Sequence, residues 1–136
     1  MRSPLAQTKI RIDGKGSGKF CMPRGWRIHQ GIDLEAMPGE VVFAPEKAKV
    51  VRAMFPYGSK SPLRGILLRS DHIIHKLMYC EMVSSELIGT MAEEGQAIGI
   101  MQDVRVKYGD DMTPHLHWET IIDPEMLLKL AVEDEQ

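Results

Sequence analysis

The sequence predicts a mainly β domain: an antiparallel sheet folded over into a sandwich or half-barrel, with one short helix at the C-terminus. Three observations point there. Apolar residues gather in runs such as Glu40 to Ala44, Ala48 to Phe55 and Ala97 to Met101, each the length of a strand rather than of a helix. Pro38-Gly39, Pro56-Tyr57-Gly58 and Glu93-Glu94-Gly95 punctuate the intervals with turn residues, as neighbouring antiparallel strands require. A strong helix start comes late, at Asp123-Pro124-Glu125, which offers an N-cap aspartate, a proline at the first helical position and an acid in the first turn. With 136 residues the chain forms a single domain, residues 1–136, long enough to bury a core without staples.

Taken in order, Lys9 to Asp13 alternates basic and apolar residues and reads as a short edge strand. The glycine-rich stretch Asp13 to Phe20 lacks the spacing of a phosphate loop and has no helix-forming continuation, so nucleotide binding is not expected. Met22 to Trp26 leads as a loop into His29. Pro56 to Pro62, with two prolines and a glycine, is long enough to wall a cleft. Gly65 to Arg69 and Ile73 to Met82 read as further strands, and His72 and His75 within them as ordinary turn and surface histidines. Leu116 to Ile121 is a strand with Leu116 and Trp118 toward the core. The closing helix is expected over Glu125 to Ala131, followed by a frayed acidic tail.

Composition narrows the function. Hydrophobic residues make up 43% and charged residues 26%, ordinary for a soluble globular chain, and the formal net charge is -2. The basic residues are scattered rather than striped, so no nucleic-acid partner is expected. No apolar run approaches the roughly 20 residues that span a bilayer, and residues 1–7 lack the apolar centre of a secretory signal. The expectation is no membrane insertion, and a chain that is cytoplasmic or released without a leader. Cys21 and Cys80 fit no zinc-ribbon spacing and read as buried thiols.

Two short stretches carry chemistry: Ile28-His29-Gln30-Gly31-Ile32-Asp33 and Pro114-His115-Leu116-His117-Trp118-Glu119. Residues two or four apart on a strand share a face, so each stretch presents its polar side chains together. Two imidazoles and a carboxylate are a common catalytic zinc set, with a fourth position left to water or substrate. The second stretch has one histidine more than that count needs. Its two Cα atoms lie about 6.6 Å apart on one face, so one can ligate while the other stands beside the water. The residues themselves leave open which does which. Gly31 sits between the first pair, where only a hydrogen leaves room for a close neighbour. Pro114 favours an extended approach to His115. Glu119 continues the histidine face and is placed to receive a spare imidazole N–H as a supporting group.

These motifs resemble the His-x-Gly-x-Asp and His-x-His signatures of the M23 (lysostaphin and LytM type) zinc endopeptidases, which cut peptide cross-links in bacterial cell walls. Gly16 to Phe20 with Pro23-Arg24-Gly25, Val42-Phe43-Ala44-Pro45, Pro56-Tyr57-Gly58, Ala97-Ile98-Gly99, Gln102-Asp103, Met112-Thr113-Pro114 and Asp123-Pro124 are similar to the subgroup of leukocyte cell-derived chemotaxin 2. The likeness covers about residues 10 to 128. It implies the M23 (duplicated hybrid motif) fold, Zn2+ held by His29, Asp33 and His117, and a catalytic part for His115. Active members also carry a histidine in a Tyr-x-His-Leu-like stretch; here Tyr79-Cys80-Glu81-Met82 puts Glu81 at that place. A carboxylate can act as a base but donates nothing to an oxyanion unless protonated. The reading expected from the resemblance is therefore a zinc-binding pseudoenzyme that holds a peptide or peptidoglycan-type ligand in its cleft without efficient cleavage. Two others stand beside it: an active metalloendopeptidase using His115 and Glu81, and a structural component of a phage-like particle.

Overall fold

A computed structural model describes residues 1–13, 16–17, 23–24, 27–28 and 31–122. The expected C-terminal helix, His29 and Cys21 lie outside these described residues. Thirteen strands appear among them. Strands β1 (Ile12–Asp13) and β2 (Gly16–Ser17) form one ribbon, and β3 (Pro23–Arg24) and β4 (Arg27–Ile28) another. The longer strands are β5 (Gly31–Glu35), β6 (Val41–Phe43), β7 (Ala48–Met54), β8 (Gly65–Arg69) and β9 (Ile73–Met78). They are followed by β10 (Cys80–Met82), β11 (Met91–Ala92), β12 (Ala97–Met101) and β13 (His115–Ile122).

A six-stranded sheet runs β11-β7-β8-β9-β13-β5 and a three-stranded sheet runs β10-β12-β6, with every pairing antiparallel. The sheets are open, as predicted for a sandwich or half-barrel. Between them lies an apolar core that includes Leu34, Val42, Val50, Ile66, Leu68, Leu77, Ile98 and Leu116, each at most 1% exposed. The short apolar runs that predicted β7 and β12 supply Ala48, Val50, Ile98 and Met101 to this core. The run at Lys9 to Asp13 also behaves as read: Arg11 N–H donates to the Asp33 carbonyl at 2.8 Å and Glu35 N–H to the Lys9 carbonyl at 2.6 Å, which seals the outer edge of β5.

One strand departs from its sequence reading. Ile73 to Met82 is not continuous, because Tyr79 takes a φ of 79°, a left-handed conformation uncommon for a residue with a Cβ. The N–H groups of Tyr79 and Cys80 both donate to the Arg64 carbonyl, at 2.7 and 3.2 Å, and the Tyr79 carbonyl accepts from Gln102 N–H at 2.9 Å. These bonds hold the kink, which ends β9 in the large sheet and starts β10 in the small one. The alternation of side chains restarts after it. Arg105–Tyr108 forms a four-residue helix, α1, that the sequence reading did not include.

His75 is a second correction. It is fully buried rather than superficial. Trp118 Nε1 donates to its Nδ1 at 3.1 Å, which fixes the proton on Nε2, and Nε2 donates to Glu46 at 2.5 Å. The large sheet is covered at this point, so a strand histidine that looks surface-bound in sequence is a satisfied interior group.

Candidate metal and ligand site

The end of β13 and the adjoining part of β5 build the site. In their register His117 lies opposite Asp33 and His115 opposite Glu35. Close approach of the strands is possible because residue 31 is glycine: a Cβ there would stand 2.7 Å from the Trp118 carbonyl oxygen and 3.0 Å from His117 Cε1. The backbone thus delivers Asp33 and His117 to the same spot, and His117 Nδ1 meets Asp33 Oδ1 at 2.6 Å. His115, 4% exposed, has its Nε2 at 3.9 Å from Asp33 Oδ2.

Electrostatics fix the protonation of these groups. Burial opposes ionisation of Asp33, but the hydrogen bond from His117 and the charges of His115, His117 and Arg11 outweigh it and hold the carboxyl at about 2. Burial is also the largest influence on His115 and lowers its pKa, favouring neutral imidazole. Its Nδ1 donates to the Thr113 carbonyl at 2.8 Å, so in the neutral form Nε2 carries the lone pair. A neutral base therefore faces an ionised carboxylate.

These groups open onto a cavity of about 470 Å3. Its floor is Asp33, His115, His117 and Arg11, and its walls include Tyr57, Tyr79 and Tyr108 with Met78 and Met112. The Tyr57 hydroxyl bonds to that of Tyr79 at 2.8 Å and to that of Tyr108, and the Tyr79 ring meets His115 edge-on with centroids 5.4 Å apart. Tyr57 comes from the Pro56–Pro62 loop, which walls the cavity as its length suggested.

The remaining expected residues lie elsewhere. Glu81 is exposed on β10 opposite Ile100 and is not among the described residues lining the cavity. Tyr79 stands at the wall instead. Glu119 reaches Lys76 at 3.9 Å, and the Nδ1 protons of the two site histidines go to Thr113 and Asp33. Arg11 and the tyrosines were missed by sequence reasoning. Three tyrosines from segments 22 and 51 residues apart carry no local pattern; the one available signal was Tyr57 between a proline and a glycine in the long loop.

As a metal site the described residues offer two converging donors, Asp33 Oδ1 and His117 Nδ1, of the types zinc accepts. No group of three or more His, Cys, Asp or Glu able to hold a metal occurs among the described residues. The donor chemistry fits zinc, with His29, outside the described residues, as the expected third ligand. Cys80 takes no part: burial pushes its thiol up to about 12, and Sγ donates to the Leu77 carbonyl.

Two open antiparallel sheets, the larger bearing an imidazole–carboxylate cavity, define a β domain with a buried polar site. The chain belongs to peptidase family M23, whose family model matches residues 27–127. It is 25% identical over 119 residues to leukocyte cell-derived chemotaxin-2 of Bos taurus, covering 85% of this chain and 76% of that protein. Its fold is similar to the antimicrobial peptidase lysostaphin from Staphylococcus simulans, with a TM-score of 0.63 and 20% identity over 90% of this chain and 47% of that one. It is also similar to a zinc-containing peptidase from Vibrio cholerae, with a TM-score of 0.62 and 19% identity over 89% of this chain and 36% of that one. The chain spans less than half of each of these two solved chains, and likeness at this identity is one of fold.

Proposed function

We propose that this M23 domain binds Zn2+ through His29, Asp33 and His117 and holds a peptide or peptidoglycan-type ligand in the tyrosine-walled cavity without efficient cleavage. The observation that carries the reading is the convergence of Asp33 Oδ1 and His117 Nδ1, 2.6 Å apart, at the floor of that cavity. When bound, zinc would supply Lewis acidity toward a peptide carbonyl. Binding it through Nδ1 requires the proton now given to Asp33 to leave that nitrogen, which a tautomer shift to Nε2 accomplishes. His115 presents a neutral Nε2 able to take a proton from a hydrogen-bonded partner. Phenol hydroxyls of the wall offer hydrogen bonds to backbone amides of an extended ligand. Beyond His115 and the ligand His117, the described lining residues include no further imidazole, and Glu81 is not among them. This supports ligand binding over turnover. The zinc-containing peptidase of Vibrio cholerae and the peptidase lysostaphin support the choice of metal and ligand class by their fold.

The test combines metal content with ligand binding. Titrated with zinc, the protein should bind about one equivalent per chain, retain purified peptidoglycan or glycine-rich peptides in a pull-down, and release no amines from them. Chelator-sensitive amine release between pH 6 and 9 would establish the active endopeptidase instead. An absence of zinc together with an absence of retention would leave the domain a structural part.

A further inference from the structure

Arg11 has no role in the ligand set, yet it occupies the heart of the site. It is 3% exposed, and its main-chain N–H donates to the Asp33 carbonyl at 2.8 Å, so the strand pairing itself sets it beside Asp33. Its Nε and Nη2 both donate to Asp33 Oδ2, at 3.2 and 3.1 Å, and Nη1 reaches Met112 Sδ at 3.6 Å. The carboxylate is thereby divided: one oxygen is held by the guanidinium and the other is turned to His117. Arg11, Asp33 and His117 make further contacts besides these.

We infer that Arg11 is a tethered counter-ion that keeps divalent-cation binding at Asp33 weak and exchangeable. The inference rests on the reading of Asp33 and His117 as metal ligands and adds what governs their affinity. A guanidinium stays charged throughout the working pH range, so its charge cannot be titrated away to make room for the metal. Asp33 is the one carboxylate among the described lining residues of the cavity, and the guanidinium offsets the charge it would offer a cation and draws electron density away from Oδ1. A full charge at this range, in an effective dielectric of about 20, is worth one or more powers of ten in an association constant. Occupying Oδ2 also limits Asp33 to one oxygen, which disfavours Ca2+ and other hard cations that use carboxylates bidentately and tolerates zinc. Hydrogen bonds to a ligating carboxylate ordinarily strengthen a site by orienting it. In Arg11 orientation and charge oppose each other, and charge is the larger because both are buried.

Arg11→Gln separates the two, since it keeps an N–H donor and removes the charge. Zinc affinity of the full chain would be measured by competition with a chromophoric chelator, with circular dichroism to verify folding. Arg11→Gln should bind zinc at least tenfold more tightly than the parent, and Arg11→Lys, which keeps the charge, within about threefold of it. An Arg11→Gln affinity equal to or weaker than the parent's overturns the inference. If only Arg11→Gln binds zinc, the metal reading of the parent fails while the role of Arg11 stands; if neither binds, both fail. Should Arg11→Gln not fold, the parent decides: zinc transfer to the chelator within minutes supports the inference, and retention for hours overturns it.

Discussion

Two histidine–carboxylate pairs lie on opposite faces of β13, and only one of them makes a site. On one face His117 meets Asp33 at 2.6 Å; on the other His75 meets Glu46 at 2.5 Å, with Trp118 donating to the remaining ring nitrogen. The bond lengths are alike. The difference is in what surrounds them. Both nitrogens of His75 are committed, and the ring is sealed in the sheet's interior. Asp33 and His117 face a cavity, with a second histidine and a buried arginine beside them. A histidine–carboxylate pair is therefore no indicator of function by itself; access and the neighbouring charge decide.

The largest effect that would sharpen this contrast is expected from Asp33→Asn. It removes the carboxylate that the buried Arg11 guanidinium grips through Nε and Nη2, which costs about 3–5 kcal/mol, and it removes a zinc ligand. Urea unfolding of the metal-free protein should show the loss of stability, and zinc titration should show affinity reduced by two or more powers of ten. A variant that is unfolded more easily but binds zinc as before would break the assignment of the site.

His75→Ala should destabilise by about 2–4 kcal/mol, through the void left and the buried Trp118 N–H deprived of its acceptor. Zinc affinity should stay within a factor of two or three of the parent's. If zinc binding falls in step with stability, the two faces of β13 are coupled and the contrast drawn above is mistaken.

Acid gives a smaller effect of definite sign. The Asp33 carboxyl ionises at about 2 in the folded chain against an ordinary value of 3.8, so its contribution is complete above 3.8 and disappears as pH falls toward 2. That difference corresponds to about 2 kcal/mol. The unfolding free energy of the metal-free parent should drop by this amount relative to Asp33→Asn between pH 5 and 2. Parallel pH profiles for the two proteins would show that Asp33 is not the ionised partner.

How far the sequence disclosed all this follows from the range of each signal. The sheets and the place of Gly31 were legible because strand alternation and motif spacing act over a few residues, whereas the pairing of Asp33 with His117, 84 positions apart, was legible only through the resemblance of the two motifs to a known family. Arg11 looked like one more basic residue on an edge strand, since nothing local says that its side chain turns inward against a carboxylate 22 positions away. The tyrosine wall is assembled by tertiary contacts from three separate segments. His75 was read from its own strand alone, whereas its burial depends on Trp118 and Glu46 arriving from elsewhere. The kink at Tyr79 was illegible because a tyrosine carries no preference for a positive φ; the bonds to Arg64 and Gln102 impose it.

That kink supplies the smallest expected effect, and a demanding one. Continuous alternation from β9 would set Tyr79 and Glu81 with Leu77, on the face turned away from Met78 and His117. With alternation interrupted, Glu81 is an exposed residue of the small sheet opposite Ile100. Exposed substitutions away from special features change stability by no more than about 0.5 kcal/mol. Glu81→Gln should therefore leave unfolding, zinc affinity and peptidoglycan retention at parental values. Glu81→His should likewise confer no hydrolysis, because an imidazole at this position is delivered to solvent rather than to the cavity. Amine release gained by Glu81→His would mean that β10 can leave the small sheet and bring residue 81 to the metal side, and the separation between the two sheets would then be a switchable feature of the fold.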